Sequence, residues 1–222
     1  MKHASTSIRC IAAAVLAAAY FNVLAAENQQ MYEVTVTNLT RGVSFTPILV
    51  ATHQPDAHLF ALGQPASAAL TAMAEGGDTS LLAADIEAMQ KSATASGTDL
   101  LGPGQSVTIT VSAHSRASHL SLAAMMLPTN DGFIALDDVP LPRGQQAASY
   151  ISSGYDAGSE PNDEFCVNIP GPTCGGAGPS PEASGEGFVH VHAGIHGVGD
   201  LQASEYDWRN PVAYVSVRRI GN

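Results

Sequence analysis

Basic residues are scarce. Nine Lys and Arg stand against twenty Asp and Glu in 222 residues, giving a formal charge of −11. With no basic stripe along the chain, that deficit excludes a nucleic-acid partner, because such a surface repels phosphates. Charged residues make up only 13% of the chain and hydrophobic ones 45%, which excludes a disordered polypeptide and leaves enough apolar material for one substantial core. Signature motifs are missing as well. The chain contains no Gly-x-Ser-x-Gly elbow, no His-Glu-x-x-His helix, no phosphate-cradling Gly loop followed by Lys and no dinucleotide fingerprint, so none of those chemistries is expected.

Long apolar runs are also absent, apart from the amino terminus. Residues 1–26 carry Lys2 and Arg9, then the apolar run Ile11–Tyr20, then the small residues of Val23–Leu24–Ala25–Ala26. This pattern is that of a cleaved secretory signal, and the run falls short of the roughly 18 apolar residues a spanning helix needs. The mature chain, 27–222, is therefore expected to be a single secreted or periplasmic domain without a transmembrane segment. It keeps seven basic and twenty acidic residues, a charge of −13. Cys10 leaves with the signal, so Cys166 and Cys174 remain and are expected to form a disulfide around a small Pro/Gly loop in an oxidising compartment.

The mature chain alternates between two characters. Tyr32–Asn38 shows strict apolar/polar alternation rich in β-branched residues, the pattern of a half-buried strand. Strands are also expected over Val43–Thr52, Ser106–Ala113, His119–Leu127, Phe133–Leu136, Gly187–His192 and Val212–Ile220. Residues 65–94 turn to Ala, Leu, Met and Glu, with Gly76–Gly77 dividing two short helices and Asp78 as the N-cap of the second. Residues 154–187, rich in Gly, Pro, Ser and acids, read as a long surface excursion pinned by the disulfide. Short strands with one helical insertion indicate an all-β fold, an antiparallel sandwich of seven or eight strands.

Two constellations carry chemistry. The first is acidic and set in loops: Asp131 after Met125–Met126–Leu127–Pro128, then Asp137 and Asp138, then Asp156 and Glu160. Carboxylates converging at one end of a sandwich form a hard oxygen site of the kind calcium prefers, although acids in turns also serve as solvated caps. The second is Phe188–Val189–His190–Val191–His192–Ala193–Gly194–Ile195–His196. On a strand His190 and His192 share one face; His196 can fold back beyond Gly194, and His53, ending the second strand, is a candidate fourth ligand. Imidazoles so grouped suit copper or zinc, as in a periplasmic metal carrier or a metalloenzyme, or else pair with acids on an exposed face.

Several segments resemble one family. The stretch Leu122-Ala-Ala-Met-Met-Leu-Pro-Thr-Asn-Asp-Gly-Phe133 is similar to the Ser-x-Met-x-x-Pro-Ser-Pro-Asp-Trp-Phe segment of the spondin amino-terminal domain. Tyr155-Asp-Ala-Gly-Ser-Glu160 resembles its Tyr-Asp-Ala-Gly-Thr-Asp, and Tyr32–Asn38 and Asn210–Ile220 resemble its first and closing strands. The resemblance implies a sandwich related in shape to calcium-dependent membrane-binding domains. It further implies a divalent ion, calcium, held by loops at one edge by residues in the positions of Asp131, Asp156 and Glu160. It also implies a non-enzymatic adhesion or binding role toward a protein or a cell-surface or matrix ligand. The His segment is no part of the resemblance.

Overall fold

A computed structural model describes residues 29–179 and 184–221; the expected signal, 1–26, lies outside the described residues. Among the described residues eleven strands form two sheets, the antiparallel sandwich that the patterning predicts, with more strands than the seven or eight expected. The smaller sheet has the order β5-β1-β11-β8, from Ser106–Ala113, Gln30–Asn38, Ala213–Ile220 and Ala148–Ser152. Alternation in β1 places Val34 and Val36 fully inside while Glu33, Thr35 and Thr37 stay half-exposed. It pairs antiparallel with β11 from Met31↔Ile220 to Asn38↔Ala213, so the first and last of the described strands lie side by side.

The larger sheet runs β10-β9-β7-β6-β3-β4: His190–Val191, Gly154–Asp156, Gly132–Pro140, His119–Leu127, Leu49–His53 and Ala93–Ser96, with β2, Ser44–Phe45, added on β6. The single strand expected over Val43–Thr52 is thus two. Pro47 lies at the break, where a residue without an N–H cannot continue a ladder. Likewise Phe133–Leu136 extends to Gly132–Pro140, taking Asp137 and Asp138 into the strand.

The larger sheet is apolar on both faces, which explains the near-continuous hydrophobic run of β6. Leu120, Leu122, Ala124 and Met126 point into the space between the sheets, with Val34, Val36, Val215 and Trp208. Ala123 and Met125 point the other way, under helices α1, Ala68–Gly76, and α2, Ser80–Glu87, against Leu70, Met73, Leu82 and Ile86. The two helices form where residues 65–94 predict them. Ser67 caps α1 through Leu70 N. Asp78 sits one residue before the N-cap of α2, Thr79, yet its carboxylate accepts from Ser80 N at 2.9 Å and so satisfies a first-turn donor.

Burial sets the expected energetics. Leu122 is fully enclosed between the sheets, whereas Leu81 on α2 is 49% exposed. Leu122→Ala should cost about 2–5 kcal/mol and Leu81→Ala less than about 0.5 kcal/mol by urea denaturation. Equal losses would contradict the burial of β6.

Candidate functional site

The turn between β6 and β7 delivers the first carboxylate. Thr129 Oγ1 donates to Met126 O at 2.6 Å and accepts from Gly132 N at 3.0 Å, closing the turn around Asn130 and Asp131. Gly132 has no room for a side chain: a Cβ there would meet Thr129 Oγ1 at 2.7 Å and the His192 ring at 3.0 Å. Asp131 is wholly buried. Its Oδ2 accepts from Ser159 N, Ser159 Oγ and Glu160 N at 2.7, 3.2 and 3.0 Å, and its Oδ1 has no hydrogen-bond partner. Burial first, and then the charge of Asp156, push the Asp131 carboxyl up to about 7 despite those three donors.

Asp156, the last residue of β9, is also fully buried. Its register neighbours are Gly132 on β7 and His190 on β10, so the strand pairing sets it between the acidic turn and the histidine arm. Oδ1 accepts from Gly158 N at 2.8 Å and Oδ2 from Asn162 Nδ2 at 2.7 Å. Gly158 turns with φ of 66°, and a Cβ there would meet Phe188 O at 2.3 Å; the Asp-Ala-Gly sequence is what folds the chain back onto its own carboxylate. Glu160 follows, 1% exposed, its amide on Asp131. Among the described residues no Lys or Arg forms an ion pair with Asp131 or Asp156.

The histidine arm meets the same carboxylate. His190 Nε2 lies 3.5 Å from Asp156 Oδ1 and 3.7 Å from Glu186 Oε2; His192 Nε2 lies 3.8 Å from Asp156 Oδ2. His190 Nδ1 faces Val191 O at 3.1 Å, a group that only accepts, so Nδ1 carries the proton. The reverse holds for His192, whose Nδ1 accepts from Gly194 N at 3.0 Å, leaving the proton on Nε2. Burial lowers the pKa of His192, and Asp156 only partly offsets it. For His190 burial acts in the same direction, but the Val191 carbonyl and the charges of Asp156 and Glu186 together prevail and raise it. The His192 ring also packs on Trp208, with centroids 4.9 Å apart, and Trp208 is part of the inter-sheet core.

The two constellations of the sequence therefore meet at Asp156, while His53, Asp137 and Asp138 lie elsewhere. His53 is on β3, four strand spacings from β10 and so about 19 Å away, and cannot join the other histidines. Its Nδ1 bonds Gln54 O at 2.8 Å and its Nε2 Ser121 Oγ at 2.9 Å. His196 is exposed, its amide donates to Glu164 Oε1 at 2.6 Å, and it lies near enough for its charge to act on His192. Asp137 and Asp138 occupy the far end of β7, about 20 Å from Asp131 at strand rise. There Asp137 accepts from His58 Nδ1 and Leu59 N, each at 2.7 Å.

Residues 154–187, expected as a surface excursion, instead supply much of the site. Glu186, Asn162 and Glu164 were hidden there by a composition that reads as loop. Glu164, 2% exposed, accepts from the amides of His196, Gly197 and Val198 at 2.6–2.9 Å and so fixes the loop after β10. The expected disulfide, Cys166–Cys174, forms beside it. Cys166 N donates to Asp200 Oδ2 at 2.9 Å, tying the disulfide loop to the same segment.

The Spondin_N family model matches residues 29–160, more than half the chain. The chain belongs to the Spondin_N family. That membership accounts for the sandwich and for the order of the motifs through Glu160. No curated protein matches the chain. The spondin match contains Asp131, Asp156 and Glu160, whereas Glu186, His190 and His192 fall beyond it. Among the described residues of this spondin domain no helix is long and apolar enough to cross a membrane.

His58 offers a clean test of the geometry at the far end of β7. Its hydrogen bond to Asp137, then the charge of that carboxylate, raise its pKa above 6.5. Its stabilising effect should be complete below pH 6.5 and fade as pH rises through the folded-state value. An NMR titration should place His58 above 6.5, with Asp137→Asn returning it to about 6.5; no change in that variant would reject the pair.

Proposed function

We propose that this chain is an exported, non-enzymatic spondin-type binding module whose loop edge holds a divalent cation, calcium, through Asp131, Asp156 and Glu160. The single observation that carries the reading is Asp131 Oδ1, a buried carboxylate oxygen without a partner, beside a second wholly buried carboxylate. Two such charges repel each other and lose hydration on burial. A hard cation supplies what both lack, and oxygen donors from mobile-length side chains on a turn and a strand end suit the 6–8 ligands that calcium takes. Asp131, Asp156 and Glu160 are the ones that would hold the ion. Bound there, the ion would cross-link the β6–β7 turn to the end of β9.

The amino-terminal signal pattern and the Cys166–Cys174 disulfide support export to the periplasm or beyond the cell. Family membership supports binding rather than catalysis. The partner in this reading is a protein or a cell-surface or matrix ligand, met at the loop edge that the cation orders.

Thermal melting tests the cation. Calcium at about one hundred times its Kd contributes about 2.7 kcal/mol, which for a domain of this size raises Tm by about 5–11 °C. Asp131→Asn keeps an oxygen for the Ser159 and Glu160 amides and should abolish the rise, as should Asp156→Asn. A wild-type protein whose Tm ignores millimolar calcium would overturn the reading.

A further inference from the structure

We infer that the mouth of this edge carries a second, distinct metal position for a zinc-type transition ion, ligated by His190, Glu186 and Asp156. One donor atom from each of these three side chains lies within 4.8 Å of the others. The inference shares Asp156 with the calcium reading but adds His190 and Glu186, which lie outside the segment matched by the family.

Three features of the geometry support it. First, the tautomer is right. His190 Nδ1 gives its proton to Val191 O, leaving the Nε2 lone pair directed at the two carboxylates. A backbone carbonyl holding one ring nitrogen while the other faces an ion is the usual support of a ligating histidine. Second, the spacing is that of ligands and not of a hydrogen bond. Nε2 is 3.5 Å and 3.7 Å from its carboxylate neighbours and has no hydrogen-bond partner. An N–H···O bond spans about 2.7–3.2 Å, whereas N and O donors at about 2.1 Å from a tetrahedral ion sit about 3.4 Å apart. Third, His192 is 99% buried at its side chain, and its Nε2–H, itself unpartnered, is aimed at Asp156 Oδ2 from 3.8 Å. Its proton lies on the atom facing the carboxylate, so it is not a ligand in this state.

Access differs between the two positions. Asp131 and Asp156 are closed off, while the His190 and Glu186 side chains are 26% and 39% exposed. The proposed position therefore lies nearer the surface than the Asp131 carboxylate, on the side of Glu186. Imidazole with two carboxylates is a donor set that zinc accepts and that calcium, an oxygen-seeking ion, does not select.

Calorimetric titration of Zn²⁺ into chelator-stripped protein, together with the visible bands of Co²⁺, tests the assignment. Wild type should take one equivalent, with Co²⁺ bands of four- or five-coordinate intensity. His190→Ala and the exposed Glu186→Gln should each weaken Zn²⁺ at least tenfold without changing the calcium-free Tm by more than a few degrees. His58→Ala, on a distant histidine, should change nothing. Asp131→Asn leaves all three Zn²⁺ ligands in place and should still take one equivalent of Zn²⁺ while losing the calcium response, so that the two positions fail separately. Zn²⁺ binding that persists unchanged in both His190→Ala and Glu186→Gln, or no binding to wild type, would overturn the inference. If calcium has no effect but Zn²⁺ binds and depends on His190, this position stands and the calcium reading falls.

Discussion

A carboxylate enclosed by protein on every side has three outlets: hydrogen-bond donors, a shared proton or a cation. Asp156 is placed where it uses the first and invites the third. Its two oxygens take Gly158 N and Asn162 Nδ2, but its charge still acts on Asp131, and both ring Nε2 atoms of the histidine arm turn toward it. Every distinctive feature of the loop edge is organised around that buried charge. The glycines at 132 and 158 let backbone and rings approach it, and Ser159 and Glu160 lend their amides to its neighbour.

The rest of the sandwich serves as a rigid mount. Burying β6 on both faces fixes β7 at its side, and β7 in turn sets the register of β9 through Gly132↔Asp156, Phe133↔Tyr155 and Ile134↔Gly154. Phe60, Phe133 and Tyr155 lock this edge from the helix side, with ring centroids 5.0–5.6 Å apart. Glu164 performs the corresponding task for the segment after β10, where three backbone amides would otherwise lack partners. Side chains built on strand ends and supported in this way are held more precisely than those on free loops.

Legibility in the sequence followed the range of the interactions. Strands whose burial is one-sided, such as β1, announce themselves through period-two alternation, and the helices through Ala, Leu and Met spacing with capping residues at their starts. β9, with three residues, is too short to show a period, and the strand expected over Gly187–His192 is reduced to the two residues of β10. They exist because β7 offers an edge, not because their own residues insist on it. The same limit explains Asp137 and Asp138, which loop spacing grouped with Asp131 although strand extension carries them to the opposite end of β7. It also explains His53, which ends a strand as expected but on the wrong side of the sheet to meet His190.

By itself the sequence determined the composition of the site: an acidic domain with carboxylates in Asn-Asp-Gly and Tyr-Asp-Ala-Gly-Ser-Glu segments and a His-x-His arm. It determined the sandwich too, because alternation and turn residues are local properties that each segment carries alone. Only the tertiary structure decided that the acidic set and the histidine arm are one place, joined at Asp156. It alone decided that Glu186 belongs there, and that His192 presents a proton where His190 presents a lone pair. Those outcomes depend on strand order, register and the partner of each ring nitrogen, which arise when distant segments pair and cannot be read from the spacing of residues along the chain.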